Sequence, residues 1–190
     1  MKRVEEPATE AERPALFEQA VLPHLNAAYN LARWLTRNPD DAQDVVQEAY
    51  LRAFKYFSGF TGEDGKAWLL SIVRHACFTW LRKNRPAELT QFDDDAGDEG
   101  VEAGDQAEDN PEQRLLAARD RELLNRLIAE LPAEFREVII LRELEELSYR
   151  EIAVIAAIPV GTVMSRLARA RRRLRCGWLR ARNSEDRYGA

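Results

Sequence analysis

Between Pro86 and Glu112 the chain carries eleven acidic residues, among them Asp93, Asp94, Asp95, Asp98 and Glu99, and not one Lys or Arg. The stretch has no hydrophobic periodicity and cannot bury enough apolar surface to offset the entropy of ordering it. It therefore divides the 190 residues into two pieces, each sized for one small core. We expect a flexible acidic linker over 86–112, between modules at 13–85 and 113–178. Residues 1–12 are expected to be disordered and 179–190 to form a frayed polar tail.

The linker also hides how the charge is distributed. Removing its eleven negative charges from a net charge of −5 leaves the remainder at +6. From Ser148 to Arg182 nine Arg face a single acid, Glu151, and a basic surface so concentrated is suited to phosphate. Fully extended at about 3.3 Å per residue, the linker reaches on the order of 90 Å, about the rise of 26 base pairs of B-DNA. Two modules on such a tether could read two separated sites.

Leu, Ala, Glu and Arg dominate the composition and alternating β-branched runs are scarce, so the expected fold class is all-α. Cys77 and Cys176 lie far apart without a CxxC or CxxH neighbour, which predicts no metal site and a reducing compartment. No secretory apolar stretch follows Met1 and nowhere do eighteen apolar residues run together. A cytoplasmic protein without membrane insertion is expected.

Three helical segments make up the first module. From Ala15 to Arg37 a stripe of Val21, Leu25, Ala28, Ala32 and Leu35 has helical spacing, with a kink or two shorter helices predicted at Pro23. Asn38-Pro39-Asp40-Asp41 reads as a helix start capped by Asn38. In the helix that follows, to about Phe57, Ala42, Val45, Val46, Ala49, Tyr50, Ala53, Phe54 and Phe57 share one face. Asp41, Asp44, Gln47, Glu48, Arg52 and Lys55 lie opposite, with Leu51 as the stray apolar member. After a loop at Phe60–Gly65, a third helix from Lys66 to Asn84 turns Leu69, Ile72, Val73, Ala76 and Leu81 inward.

Four helices are expected in the second module, at Pro111–Leu131, Ala133–Leu144, Tyr149–Ala156 and Val160–Cys176. Their predicted core is Leu115, Leu123, Leu124, Leu127, Ile128, Leu131, Val138, Ile139, Leu141 and Leu144. Ser148 and Glu151 form a capping box, Ala153 is small where two helices cross, and Ala157-Ile158-Pro159 makes a turn. With Ile152, Ile155, Val163 and Leu167 locking the pair, this is a helix-turn-helix. Its second helix would lie in a major groove, Arg on guanine edges and neighbouring Arg on phosphates.

Three stretches, in order and at the right spacing, resemble the extracytoplasmic-function (ECF) sigma factors of the bacterial sigma-70 family. They are Asp41-Ala-Gln-Asp-Val-Val-Gln-Glu-Ala-Tyr, Trp68-Leu-Leu-Ser-Ile-Val-Arg, and Leu131-Pro-Ala-Glu-Phe-Arg through Pro159-Val-Gly-Thr-Val-Met-Ser-Arg-Leu. The resemblance implies that 13–85 is sigma region 2 and 113–178 sigma region 4. It implies that Asp44, Gln47, Glu48 and Leu51 grip the clamp coiled coil of core RNA polymerase, with the second module on the flap. Phe60, Trp68, Arg74, His75 and Arg82 would capture a flipped base of the melted minus-ten strand. His75 stands where some relatives have Asn, so the base preferred there is left open.

At the minus-thirty-five element, Met164, Ser165, Ala168 and Arg169 match the family's base-facing positions. Thr162, Arg166, Arg171 and Arg172 match contacts to the DNA backbone. The implied partners are core polymerase, promoter DNA as duplex and as melted single strand, and an anti-sigma protein, with a monomer when free. The linker's acidity would either imitate RNA near the polymerase exit path or serve solubility. No cofactor is implied. An autonomous duplex-DNA regulator would leave the first module without a task. An enzyme would need better than His75 and Cys77, which are two residues apart and point to different sides of their helix.

Overall fold

The structure, a computed structural model, describes residues 13–60, 64–89 and 111–188, with the side chains of 111–118 and 184–188 excepted. Residues 1–12, the loop positions 61–63, most of the expected linker (90–110) and residues 189–190 lie outside the described residues, and the side chain of the predicted core position Leu115 is among those excepted. Helices account for the fold, with no strand among the described residues. The chain divides into two compact units, Met1–Trp80 with Val154–Ala156, and Leu81–Ala153 with Ala157–Ala190.

In the first unit α1 (Arg13–Val21) breaks at a 3-10 turn, Leu22–His24, and α2 (Leu25–Thr36) begins anew. Pro23 dictates the break, because it has no N–H to donate and its ring would clash with the preceding turn. The break also resets the helical phase. Leu25, expected on the core stripe, opens α2 at its outer end and is exposed, while Leu31 joins Ala28, Ala32 and Leu35 in the core. α3 (Pro39–Tyr56) starts where Asn38 Oδ1 accepts from the amides of Asp40 (2.8 Å) and Asp41 (3.2 Å). Such a cap contributes about 1 kcal/mol.

α2 and α3 pack through Ala28, Ala32, Ala42, Ala49 and Ala53, whose small side chains let the axes approach, with Leu31, Leu35, Val45 and Val46 filling the remainder. Phe54, expected in the core, is exposed on one side. It sits in the last turn, where Phe17 meets its edge at 5.2 Å and Arg13 covers it at 5.5 Å, leaving the rest to solvent. α4 (Gly65–Asn84) begins with a glycine for a packing reason: a Cβ at Gly65 would lie 2.2 Å from the Ala20 carbonyl oxygen. Asp64 Oδ1 caps it by accepting from the Ala67 amide at 2.9 Å.

α5 (Pro111–Glu130), α6 (Ala133–Ile139), α7 (Tyr149–Ala156) and α8 (Val160–Tyr188) follow in order, all in the second unit except Val154–Ala156 at the end of α7. α6 is buried at every position but Glu134 and continues as a π-helical turn, Ile140–Leu144. Its longer bonds, Glu145 N to Ile140 O and Leu147 N to Leu141 O, shift the phase by a residue. Leu144, expected inside, therefore faces solvent, and Glu145 and Leu147 turn inward. Leu124 is exposed as well. Adjacent leucines sit about 100° apart on a helix, and α8 covers a single stripe of α5.

Helical structure reaches into both ends of the acidic stretch, as a 3-10 turn at Pro86–Leu89 and as the start of α5. Glu88 in that turn accepts from Arg136 at 2.9 Å, and Arg136, only 1% exposed, also donates to the Leu131 carbonyl. α8 continues well past the expected end at Cys176, because α5 gives it a partner. Gly177 brings the two helices so close that a Cβ there would lie 2.6 Å from Leu127, and Arg182 faces Asp120 at 3.9 Å.

Candidate nucleic-acid interface

α7 is entered through the capping box that the sequence predicts. The Ser148 amide donates to Glu151 Oε2 at 2.7 Å and the Glu151 amide to Ser148 Oγ at 3.3 Å. The turn is closed by Ala157 in the left-handed region (φ 53) and by the Ile158 amide donating to the Ala153 carbonyl at 3.1 Å. α7 and α8 then meet at a bend of 100°. Ile152, Ile155, Val163 and Leu167 are buried, as a helix-turn-helix lock requires.

The face of α8 turned to solvent carries Met164 (54% exposed), Ser165 and Ala168, three of the expected base-reading positions. Ser165 Oγ donates to the Thr162 carbonyl at 3.0 Å, so its remaining capacity points outward as an acceptor. Arg169 and Arg172 are half-buried on the flanks. Two of the expected phosphate-binding arginines are already engaged within the unit. Arg166 donates to Glu134 Oε2 at 2.6 Å, and Arg171 to Glu143 Oε1 at 2.7 Å. That hydrogen bond raises the Arg171 guanidinium above its ordinary value, against the opposing effect of partial burial. Sequence spacing along α8 gives no sign of Glu134 or Glu143, which come from α6 and the π-turn.

On α4, Trp68, His75 and Arg82 recur every seven residues and so share one side of the helix. Phe60 closes on Trp68 with ring centroids 5.1 Å apart and stacks on Phe57 at 5.5 Å, bringing the loop aromatic and the helical one together. His75 and Arg82 are exposed, while Arg74 lies 4.4 Å over the Phe78 ring, a contact that spacing alone does not reveal.

On α3, Asp44, Gln47 and Glu48 are exposed and Leu51 is 68% exposed, so the four form one surface. Beside it a groove of about 510 Å³ runs between α2 and α3, with Leu25, Tyr29, Val46, Gln47 and Tyr50 among its walls. Burial pushes the Tyr50 hydroxyl up to about 12, so it stays protonated and donates to the Val21 carbonyl at 3.3 Å. Among the described residues no cluster of His, Cys, Asp and Glu is placed to hold a metal ion, and no single helix is long and apolar enough to cross a membrane.

Residues 20–87 match the family model for sigma-70 region 2, and residues 121–174 that for sigma-70 region 4. The ECF RNA polymerase sigma-E factor of Haemophilus influenzae is 36% identical over 144 residues, which cover 74% of this chain and 75% of that protein. The sigma-E factor of Escherichia coli K12 is 37% identical over 134 residues, covering 69% and 70%. Among solved structures, the sigma factor RpoE in complex with the anti-sigma factor NepR from Bartonella quintana superposes with a TM-score of 0.63 at 28% identity, over 85% of this chain and 96% of that one. CnrH in complex with the cytosolic domain of CnrY gives 0.60 at 26%, over 88% and 90%.

Proposed function

The chain belongs to the extracytoplasmic-function branch of the sigma-70 family, factors of transcription initiation and not catalysts, and on that premise we propose that it docks on core RNA polymerase and selects promoters by reading a minus-thirty-five element and melting a minus-ten element. The observation that carries this reading is the outward face of α8, where Met164, Ser165 and Ala168 stand exposed on the second helix of a helix-turn-helix. These three and Arg169 read base edges in the major groove, and Thr162, Arg171 and Arg172 hold phosphates.

In the first module, taken as 13–85, the Phe60–Trp68 pair offers a platform for an unstacked base, and Arg74, His75 and Arg82 supply donors along the strand. The α3 surface of Asp44, Gln47, Glu48 and Leu51 takes the polymerase clamp coiled coil, and the second module, 113–178, rests on the flap. An anti-sigma protein holds the factor inactive, a proposal supported by the NepR-bound relative.

Run-off transcription with core polymerase on genomic fragments tests the reading. Start sites that appear only when the chain is added, and that share two spaced elements, are the expected result. Selective binding of promoter duplex by the isolated chain, unaltered by core polymerase, would instead make it an autonomous DNA-binding regulator.

A further inference from the structure

Arg166 and Ala168 are two residues apart on α8 and therefore about 160° apart around it. Ala168 lies on the exposed face, whereas Arg166 points toward α6 and bonds Glu134 at 2.6 Å, both side chains shielded at 18% and 25% exposure. The same side of α8 buries Ala170 completely, and seven residues past Arg166 the Arg173 guanidinium lies 5.3 Å from the ring of Phe135, the neighbour of Glu134. Arg171 differs: its pair with Glu143 is 53% and 49% exposed and sits about 60° from Ala168, so it opens to a phosphate at little cost.

From these placements we infer that Arg166 is a positioning residue and not a phosphate contact. With Glu134 it braces α8 against α6 and sets the angle at which Met164, Ser165 and Ala168 are presented to base edges. The inference rests on the reading of α8 as the promoter-facing helix. A short, shielded, charge-assisted bond holds its guanidinium in place. Moving Arg166 to a phosphate would leave the Glu134 carboxylate part-buried without that partner.

The test is a charge exchange in the full chain assembled with core RNA polymerase, binding a duplex that carries the upstream element mapped by run-off transcription. Affinity is followed across a range of salt concentrations. Arg166→Gln and Glu134→Gln are each expected to weaken binding about tenfold with the salt slope unchanged, since no phosphate contact is lost. Arg166→Glu combined with Glu134→Arg restores most of that loss. Arg171→Gln lowers the slope by about 0.9 and shows that the assay registers a phosphate contact.

A slope reduced by about 0.9 in Arg166→Gln, with no rescue by the exchange, places Arg166 on the DNA backbone and overturns the brace. Thermal melting decides the same question if the single variants fold poorly: the exchange must melt above both, and an exchange that melts no higher overturns the brace. Unchanged binding in Arg169→Ala and Arg171→Gln alike would remove α8 from the promoter, and the inference with it, by a route distinct from failure of the brace.

Discussion

In the first module the charged side chains of α3 answer to their own helix. Glu48 meets Arg52 one turn on, and both are well exposed. In the second unit the arginines reach across the fold: Arg136 to Glu88, Arg166 to Glu134 and Arg171 to Glu143, over separations of 48, 32 and 28 residues. The first arrangement leaves charge free to face a partner, and the second uses charge to hold helices together. The two surfaces should therefore respond to mutation in opposite ways, one losing binding without losing stability and the other losing both.

The largest effect is expected at Arg136, where the pairing is deepest. Arg136→Ala removes the donor shared by the Glu88 carboxylate and the Leu131 carbonyl, leaves Glu88 its longer 3.4 Å bond from Arg85, and should destabilise the fold by about 3 kcal/mol, the low end for a broken buried pair. Urea unfolding of the full chain would show this as a lower midpoint at unchanged slope. A shift under about 1 kcal/mol would mean that the pair behaves like a surface ion pair, and the contrast between the modules would fail there.

Next comes α3. Asp44→Lys with Glu48→Lys should weaken assembly with core polymerase by about a hundredfold, since like charges set against a complementary surface cost several kcal/mol. Stability should move by no more than about 0.5 kcal/mol, because both side chains are exposed and the Glu48–Arg52 pair contributes little. Co-purification and thermal melting of the same variant separate the two quantities. A variant that both unfolds and fails to assemble would show that this face also serves the fold.

The same contrast explains what can be read from sequence. Asn38 capping α3, the break at Pro23, the Ser148–Glu151 box and the buried lock of Ile152, Val163 and Leu167 are all set within a few residues, and spacing reveals them. The α3 surface is legible for the same reason, being four positions on one helix. Spacing misplaces Leu25 and Leu144 because a 3-10 turn and a π-turn shift helical phase, which a fixed period of 3.6 does not register. It also ends α8 too early, because the last turns of that helix are polar and their support comes from α5. Glu134 and Glu143 carry no local signal, and Glu88 signals only its i,i+3 neighbour Arg85, so the division of arginines between brace and interface emerges only when α6 and α8 are brought together.

The smallest expected effect sharpens the comparison at the backbone. Each module ends a helix with a non-glycine residue in the left-handed region, Arg37 after α2 (φ 56) and Ala157 after α7 (φ 53). A Cβ in that region crowds the following carbonyl, and glycine removes the clash while adding freedom to the unfolded chain. Ala157→Gly gives up only a methyl group on an exposed residue, so the net change should be a gain of about 0.5–1 kcal/mol. Arg37→Gly also gives up the interactions of the Arg37 side chain and should gain less. Equal gains at both positions, read as urea midpoints, would show that Arg37 contributes nothing beyond its backbone, so that charge in the first module is dispensable for the fold even where it caps a helix.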